Sequence, residues 1–256
     1  MATAPADLPL FYNQLEPLSS LTHGDWKLRE IDTPTLFAKA HAVPITVDEF
    51  PLAQRHFPII FSVGPNPVPL ALMGLNEGIN VFVNDEGKLD GGIYVPAYVR
   101  RYPYMLARLR PDADELSLCF DPTAEGIGPD GDGPALFEDG QPSEATKNML
   151  AFLEQFEQAG RRTAQFIQEM TDAKLLIDGE VTIQPEGAAQ PFIYRGFQMI
   201  SEDAVKELRG DVARKMVQSG AMGLIYAHFF SLPLIRELFA RQMAQGRMPA
   251  PQFANV

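Results

Sequence analysis

The run Tyr94-Val95-Pro96-Ala97-Tyr98-Val99-Arg100-Arg101-Tyr102-Pro103-Tyr104-Met105-Leu106 sets four tyrosines and two adjacent arginines in thirteen residues of an otherwise acidic chain. Tyrosine offers a stacking face and a hydroxyl, and arginine a fixed fork of donors that fits a carboxylate, a phosphate or a peptide carbonyl. These are the parts of a recognition surface, and Tyr98, Arg100, Arg101, Tyr102 and Tyr104 are its candidate ligand-binding residues. A structural reading competes with it: Pro96 and Pro103 each start a short helix, the tyrosines wedge into the core, and Arg100, Arg101 and Arg108 pair with surface carboxylates. Arg195 and His228 are further candidates, because an Arg or His in apolar surroundings needs a polar partner.

Residues that could carry a reaction are sparse. The four histidines, His23, His41, His56 and His228, are scattered, and no two share the helical spacing that sets two imidazoles on one metal. His23-Gly24-Asp25 does have the His-x-Asp spacing of the iron-binding facial triad. With His228 or His56 as a distal ligand, it defines an alternative reading as an iron-dependent oxygenase. Nucleophile signatures are absent, and Cys119 lies in the apolar run Leu116-Ser117-Leu118-Cys119-Phe120, where a buried, inert thiol is expected. The match Gly126-x-Gly128-x-x-Gly131 opens no helix and sits among carboxylates that would repel phosphate. Asp130-Gly131-Asp132-Gly133 hints at calcium but lacks the later oxygen ligands of an EF-hand loop. The expectation is therefore no metal and no cofactor, with iron as the alternative.

Composition limits the partners. The 256 residues have ordinary globular make-up, 46% hydrophobic and 21% charged. Twenty-one Lys and Arg against 33 Asp and Glu give a net charge of -12, which disfavours nucleic acid and anionic membrane surfaces. One cysteine precludes an intrachain disulfide. The first residues lack a basic, then apolar, leader, so a cytoplasmic location is expected. No window reaches the 18 uncharged apolar residues of a membrane span, and residues 221–235 are interrupted by His228, Ser231 and Pro233.

The elements that must position these residues follow from periodicity. Short β-like runs at 26–31, 37–45, 58–63, 68–75, 79–83 and 115–120 predict a β-rich portion over 20–120, with a meander turning at Asn76-Glu77-Gly78 and Asn84-Asp85-Glu86-Gly87. Asp48 is a candidate cap for a short helix through His56. Residues 121–142 hold five glycines, four prolines, six carboxylates and no basic residue, and read as an acidic loop or linker. Ser143 then caps a long helix whose Met149, Phe152, Leu153, Phe156, Ala159, Thr163, Phe166, Ile167 and Met170 share one face. A hairpin over 175–184 and 190–200, turning at Glu186-Gly187, leads into helices at 201–209, 211–219 and 221–245 with a kink at Pro233. Residues 247–256 read as a tail. The expected class is α+β: an antiparallel β-rich N-terminal half packed with a long amphipathic helix and a C-terminal helical cluster. The whole chain, 1–256, is expected to form a single domain.

Several of these segments resemble the bacterial SapC family, named from surface-layer operons. The resemblance is carried by His41-Ala42-Val43-Pro44-Ile45 with Glu49-Phe50, Phe57-Pro58-Ile59-Ile60-Phe61, Leu72-Met73-Gly74-Leu75 with Asn80-Val81-Phe82-Val83, and the run from Tyr94 to Tyr104. In the second half it is carried by Gly196-Phe197-Gln198-Met199-Ile200 with Glu202, and by Gly223-Leu224-Ile225-Tyr226-Ala227-His228-Phe229-Phe230-Ser231-Leu232. It implies a link to surface-layer export and, elsewhere, to outer-membrane receptors and to cupin-like and flavin-dependent halogenase-like proteins, but it carries no catalytic residue. The combined expectation is a non-catalytic accessory that binds a peptide, partner protein or small acidic ligand. The alternatives are the oxygenase and a structural surface-layer component, the latter exported by an uncleaved C-terminal signal.

Overall fold

The computed structural model describes residues 8–29, 37–110, 115–184 and 190–247. The elements of the first half are β1 (Glu16–Pro17), β2 (Lys27–Leu28), β3 (Ala42–Pro44), α1 (Phe50–Ala53), β4 (Ile59–Phe61), β5 (Pro69–Leu72), α2 (Ala97–Arg100), β6 (Tyr104–Ala107) and β7 (Ser117–Phe120). There follow β8 (Ile127–Gly128), β9 (Phe137–Glu138), β10 (Gln141–Pro142), α3 (Glu144–Asp172), β11 (Leu176–Ile183), β12 (Phe192–Ile200), α4 (Glu202–Lys206), α5 (Gly210–Ser219), α6 (Ala221–Ser231) and α7 (Leu234–Ala244). The class is α+β, with antiparallel sheets, a long helix and C-terminal helices. Two compact units form, Met1–Pro34 with Tyr98–Gln158, and Thr35–Ala97 with Ala159–Val256.

In the first unit β6, β7 and β1 form an antiparallel sheet in the order β1-β7-β6, β2 pairs with β8, and β9 with β10. Its core gathers Tyr104, Leu106, Phe120, Ala124, Ile127, Leu136 and Leu153. Ile127 and Leu136 come from the acidic stretch, so 121–142 is built into this unit and is not a solvated linker. The Asp130-Gly131-Asp132-Gly133 sequence has a steric reason. A Cβ on Gly131 or Gly133 would sit 2.7 Å from the Leu28 carbonyl oxygen, and the Gly133 N–H donates to that oxygen at 2.9 Å. Only glycine lets the two backbones approach this closely.

α3 starts where Ser143 predicts, with the Ser143 hydroxyl accepting from the Thr146 N–H at 3.3 Å. Its expected apolar face is the buried one: Leu153, Ala159, Thr163, Phe166, Ile167 and Met170 are buried, and Met149, Phe152 and Phe156 half-buried. Among the described residues no helix is long and apolar enough to cross a membrane.

The second unit carries a five-stranded antiparallel sheet in the order β11-β12-β4-β5-β3. The hairpin of β11 and β12 forms as its alternation predicts, and its turn lies outside the described residues. The expected meander does not form. β5 pairs with β3 and β4, and residues 79–83 contribute only a bridge from Val83 to Leu89 across the Asn84–Gly87 turn. Residues 37–39 are a 3-10 turn, and β3 is all that remains of the strand expected over 37–45. The helix expected from Asp48 is capped two residues earlier, at Thr46, as a 3-10 turn over Val47–Glu49 running into α1. The C-terminal helix is interrupted at Leu232 and Pro233, which separate α6 from α7. Gly220, at φ 83°, closes α5 in a left-handed conformation that a side chain would strain.

Side chains of α6 and α7 complete the backbone bonding of this unit. The Ile59 carbonyl accepts from His228 Nδ1 at 2.8 Å, and the Ile59 N–H donates to Ser231 Oγ at 2.8 Å. His228 Nε2 accepts from the Ile200 N–H at 3.1 Å, so β4 and β12 are both tied to α6. Gln242 accepts from the Leu75 N–H at 3.0 Å and donates to Asn76 Oδ1 at 2.7 Å.

His228 is fully buried, and burial pushes its pKa from 6.5 to about 4, with the Ile59 carbonyl acting in the opposite direction. As pH falls the unfolded chain takes up this proton first. The stability of neutral His228 is therefore whole above pH 6.5 and is lost progressively down to about 4. That loss is of the order of 3 kcal/mol. Denaturant unfolding at a series of pH values should show wild-type stability falling through this window, and a shallower fall in His228→Gln. Equal slopes would show that His228 titrates as freely folded as unfolded.

Candidate functional site

The Tyr94 to Tyr104 segment is held at its start by a buried carboxylate of the second unit. Glu49, 5% exposed, accepts from the Thr46 N–H at 2.8 Å and the Thr46 hydroxyl at 2.9 Å on one oxygen. The other oxygen accepts from the Tyr94 hydroxyl at 2.9 Å and the Ala97 N–H at 2.7 Å. Pro96 precedes α2 as expected of a residue with fixed φ and no N–H to leave unpaired. Pro103 starts no helix: it follows a cis peptide after Tyr102 and leads into β6.

From Tyr98 onward the segment belongs to the first unit, where Arg101 is the centre. Its side chain is buried, with the guanidinium carbon 4.3 Å from the Tyr98 ring centre, 4.6 Å from Phe156 and 5.6 Å from Tyr12. Aromatic faces carry negative potential and favour a cation held this way. They do not answer every in-plane N–H: Arg101 is hydrogen-bonded to the Tyr98 side chain, and its Nε has no hydrogen-bond partner. Among the described residues no carboxylate forms an ion pair with Arg101. The buried Asp121 is occupied elsewhere, accepting from the Asn13 N–H at 2.6 Å and from the Thr123 N–H and hydroxyl at 2.9 and 2.7 Å. Burial acts to raise its pKa, and these hydrogen bonds outweigh burial and bring it below the usual carboxylate value.

The tyrosines support this cluster. The Tyr98 hydroxyl donates to the Leu10 carbonyl at 3.1 Å, and the Tyr12 hydroxyl to the Tyr104 carbonyl at 2.7 Å. Tyr102, half-buried, meets the Tyr12 ring edge-on at 5.3 Å, while the buried Tyr104 hydroxyl has no partner. Burial raises the pKa of Tyr12, Tyr98, Tyr102 and Tyr104, to about 12 at Tyr102, and Arg101 opposes it at Tyr12 and Tyr98. All four are neutral phenols near pH 7, able to stack and donate. Arg100 is exposed, 5.1 Å from the Phe152 ring centre, so the two adjacent arginines have different surroundings.

The remaining candidates are engaged by other groups. Arg195, exposed in β12 of the second unit, donates to Glu180 across the hairpin at 2.7 Å. His228 has both ring nitrogens on backbone groups of that same unit. In the first unit His23 is buried: Nδ1 accepts from the Ser19 N–H at 3.2 Å, and Nε2 lies 3.2 Å from Glu16. Asp25 is exposed, and His56 belongs with His228 to the second unit. Among the described residues no three His, Cys, Asp or Glu side chains converge as a metal site. Sequence reasoning missed Tyr12 and Asp121, and the aromatic pair Phe11-Tyr12 was the signal available for the first.

The SapC family model matches residues 18–238. The chain belongs to the SapC family. The match covers β2 through the first five residues of α7, and so includes the Arg101 cluster except Tyr12. No curated protein and no solved structure matches the chain.

Phe156 and Arg101 should be energetically coupled. A double-mutant cycle with Phe156→Leu and Arg101→Met, read by denaturant unfolding, is expected to give a coupling of about 1–2 kcal/mol for this desolvated cation–π contact. A coupling near zero would show that the rings only surround the guanidinium.

Proposed function

We propose that this SapC family member is a non-catalytic accessory that binds a peptide, a partner protein or a small acidic ligand through a carboxylate set against Arg101. The half-buried Tyr102 and the exposed Arg100 are the flanking contacts. The observation that carries the reading is a buried guanidinium with an unpartnered Nε and no ion pair among the described residues. Burying a cation is costly unless it is paired, and the aromatic faces answer only part of that cost. A planar guanidinium with an unpartnered Nε–H is suited to donate to a carboxylate oxygen at that edge. The surface-layer export link implied by the family resemblance favours a protein or peptide as the partner.

The test separates recognition from core filling. Arg101→Met keeps the volume and removes the charge, and replacing a buried charge by an apolar side chain is often neutral or stabilising. Its melting temperature is expected to equal or exceed that of wild type. Fluorescence polarisation with a panel of peptides carrying Asp, Glu or a free C-terminus should then show binding weakened at least about tenfold, as for the loss of a charged hydrogen bond. Arg101→Lys should weaken it also, because an ammonium lacks the fork. Wild-type binding retained in Arg101→Met would refute the reading.

The same reading assigns the protein no metal. Metal analysis of purified protein is expected to find no stoichiometric iron. Near-equimolar iron that disappears in His23→Ala would establish the oxygenase alternative instead.

A further inference from the structure

α6 is apolar on every side, with Met222, Leu224, Ile225, Tyr226, Phe229 and Phe230 distributed around its axis. Such a helix belongs inside a core, yet Tyr226 is 48% and Phe230 69% exposed. The two rings stack at 5.9 Å, and Tyr226 meets Phe229 edge-on at 6.1 Å. Phe229 in turn lines a groove of about 390 Å³ with Met199, Leu232, Pro233, Glu202 and Arg236. A protruding aromatic and an open apolar groove thus lie on one continuous surface of the second unit, joined through Tyr226 and Phe229.

The charges at the groove select its occupant. Glu202 and Arg236 line the same groove and, among the described residues, form no ion pair with each other. Glu202 instead meets Lys206 at 2.9 Å, and Arg236 has no carboxylate partner there. A face offering a knob, a hole, an acid and a base is self-complementary, which is what a two-fold contact between identical chains requires. Its residue types, Met, Tyr, Phe and Arg, are those enriched at protein interfaces.

We propose that a second copy of this chain covers this face. Phe230 of each copy seats in the groove of the other, between Met199 and Leu232, and Glu202 of each faces Arg236 of its mate. The contact involves none of the Arg101 cluster, so it stands or falls independently of the recognition reading.

Size-exclusion chromatography with light scattering across a wide concentration range is expected to show a concentration-dependent dimer. Phe230→Glu, at an exposed position, should preserve the circular dichroism spectrum and weaken dimerisation at least about tenfold, as for loss of an interface anchor. Arg236→Glu should weaken it too, and the double variant Glu202→Arg with Arg236→Glu should restore association, since the pair is re-formed with its signs exchanged. A monomer at every concentration, a dimer indifferent to Phe230→Glu, or a double variant no better than Arg236→Glu would each overturn the proposal. Wild-type protein that stays monomeric but binds lipid vesicles through Phe230 would overturn it in favour of a lipid surface.

Discussion

A guanidinium withdrawn from water between aromatic rings is the constraint on which the first unit depends. Arg101 is clasped by Tyr98, Phe156 and Tyr12, drawn respectively from α2, α3 and the segment before β1. Removing any one of those rings admits water to a charge that the remaining two hold less well. Two of the tyrosine hydroxyls reach the backbone, Tyr98 at Leu10 and Tyr12 at Tyr104, while that of Tyr104 is left without a partner. The same ring contacts that satisfy the cation therefore tie the N-terminal segment to β6.

The second unit meets the mirror-image requirement with Glu49, a buried carboxylate that receives four donors and no cation among the described residues. Two of those donors belong to Thr46, at the start of its own helical turn, and two to Tyr94 and Ala97, far along the chain. His228, Ser231 and Gln242 extend the principle to neutral groups: each is fully buried and each answers a backbone N–H or carbonyl. The polar interior of this unit is thus chiefly a set of staples. That role occupies both nitrogens of His228.

Tyr12 and Tyr98 against Arg101, and Tyr102 and Tyr104 just after it in the chain, are held neutral by burial, and hydrogen bonds hold Asp121 below the usual carboxylate range, so the cluster offers shape, stacking and a fixed positive charge. Arg101 belongs to the first unit and α6 to the second.

The sequence alone determined what depends on local periodicity and capping. The apolar face of α3, its start at Ser143, the hairpin of β11 and β12, the stop at Gly220 and the break at Pro233 all follow from spacing that any fold would read in the same way. The density of tyrosines and arginines in the Tyr94 to Tyr104 segment was also legible, but not which of them the fold would bury. Tertiary structure decided the rest. The run 79–83 has strand composition but pairs with no neighbouring strand, because β5 had both edges taken by β3 and β4. The acidic stretch became part of a core because Gly131 and Gly133 could lie against β2 and let Ile127 and Leu136 turn inward. Nothing local to the Arg100-Arg101 dipeptide distinguishes its members. Which of them is buried depends on where Tyr12 and Phe156 arrive, and those residues lie 89 positions before Arg101 and 55 after it in the chain. Such long-range convergence is invisible to periodicity, because the energy of a buried charge is set by the groups that surround it and not by its neighbours in sequence.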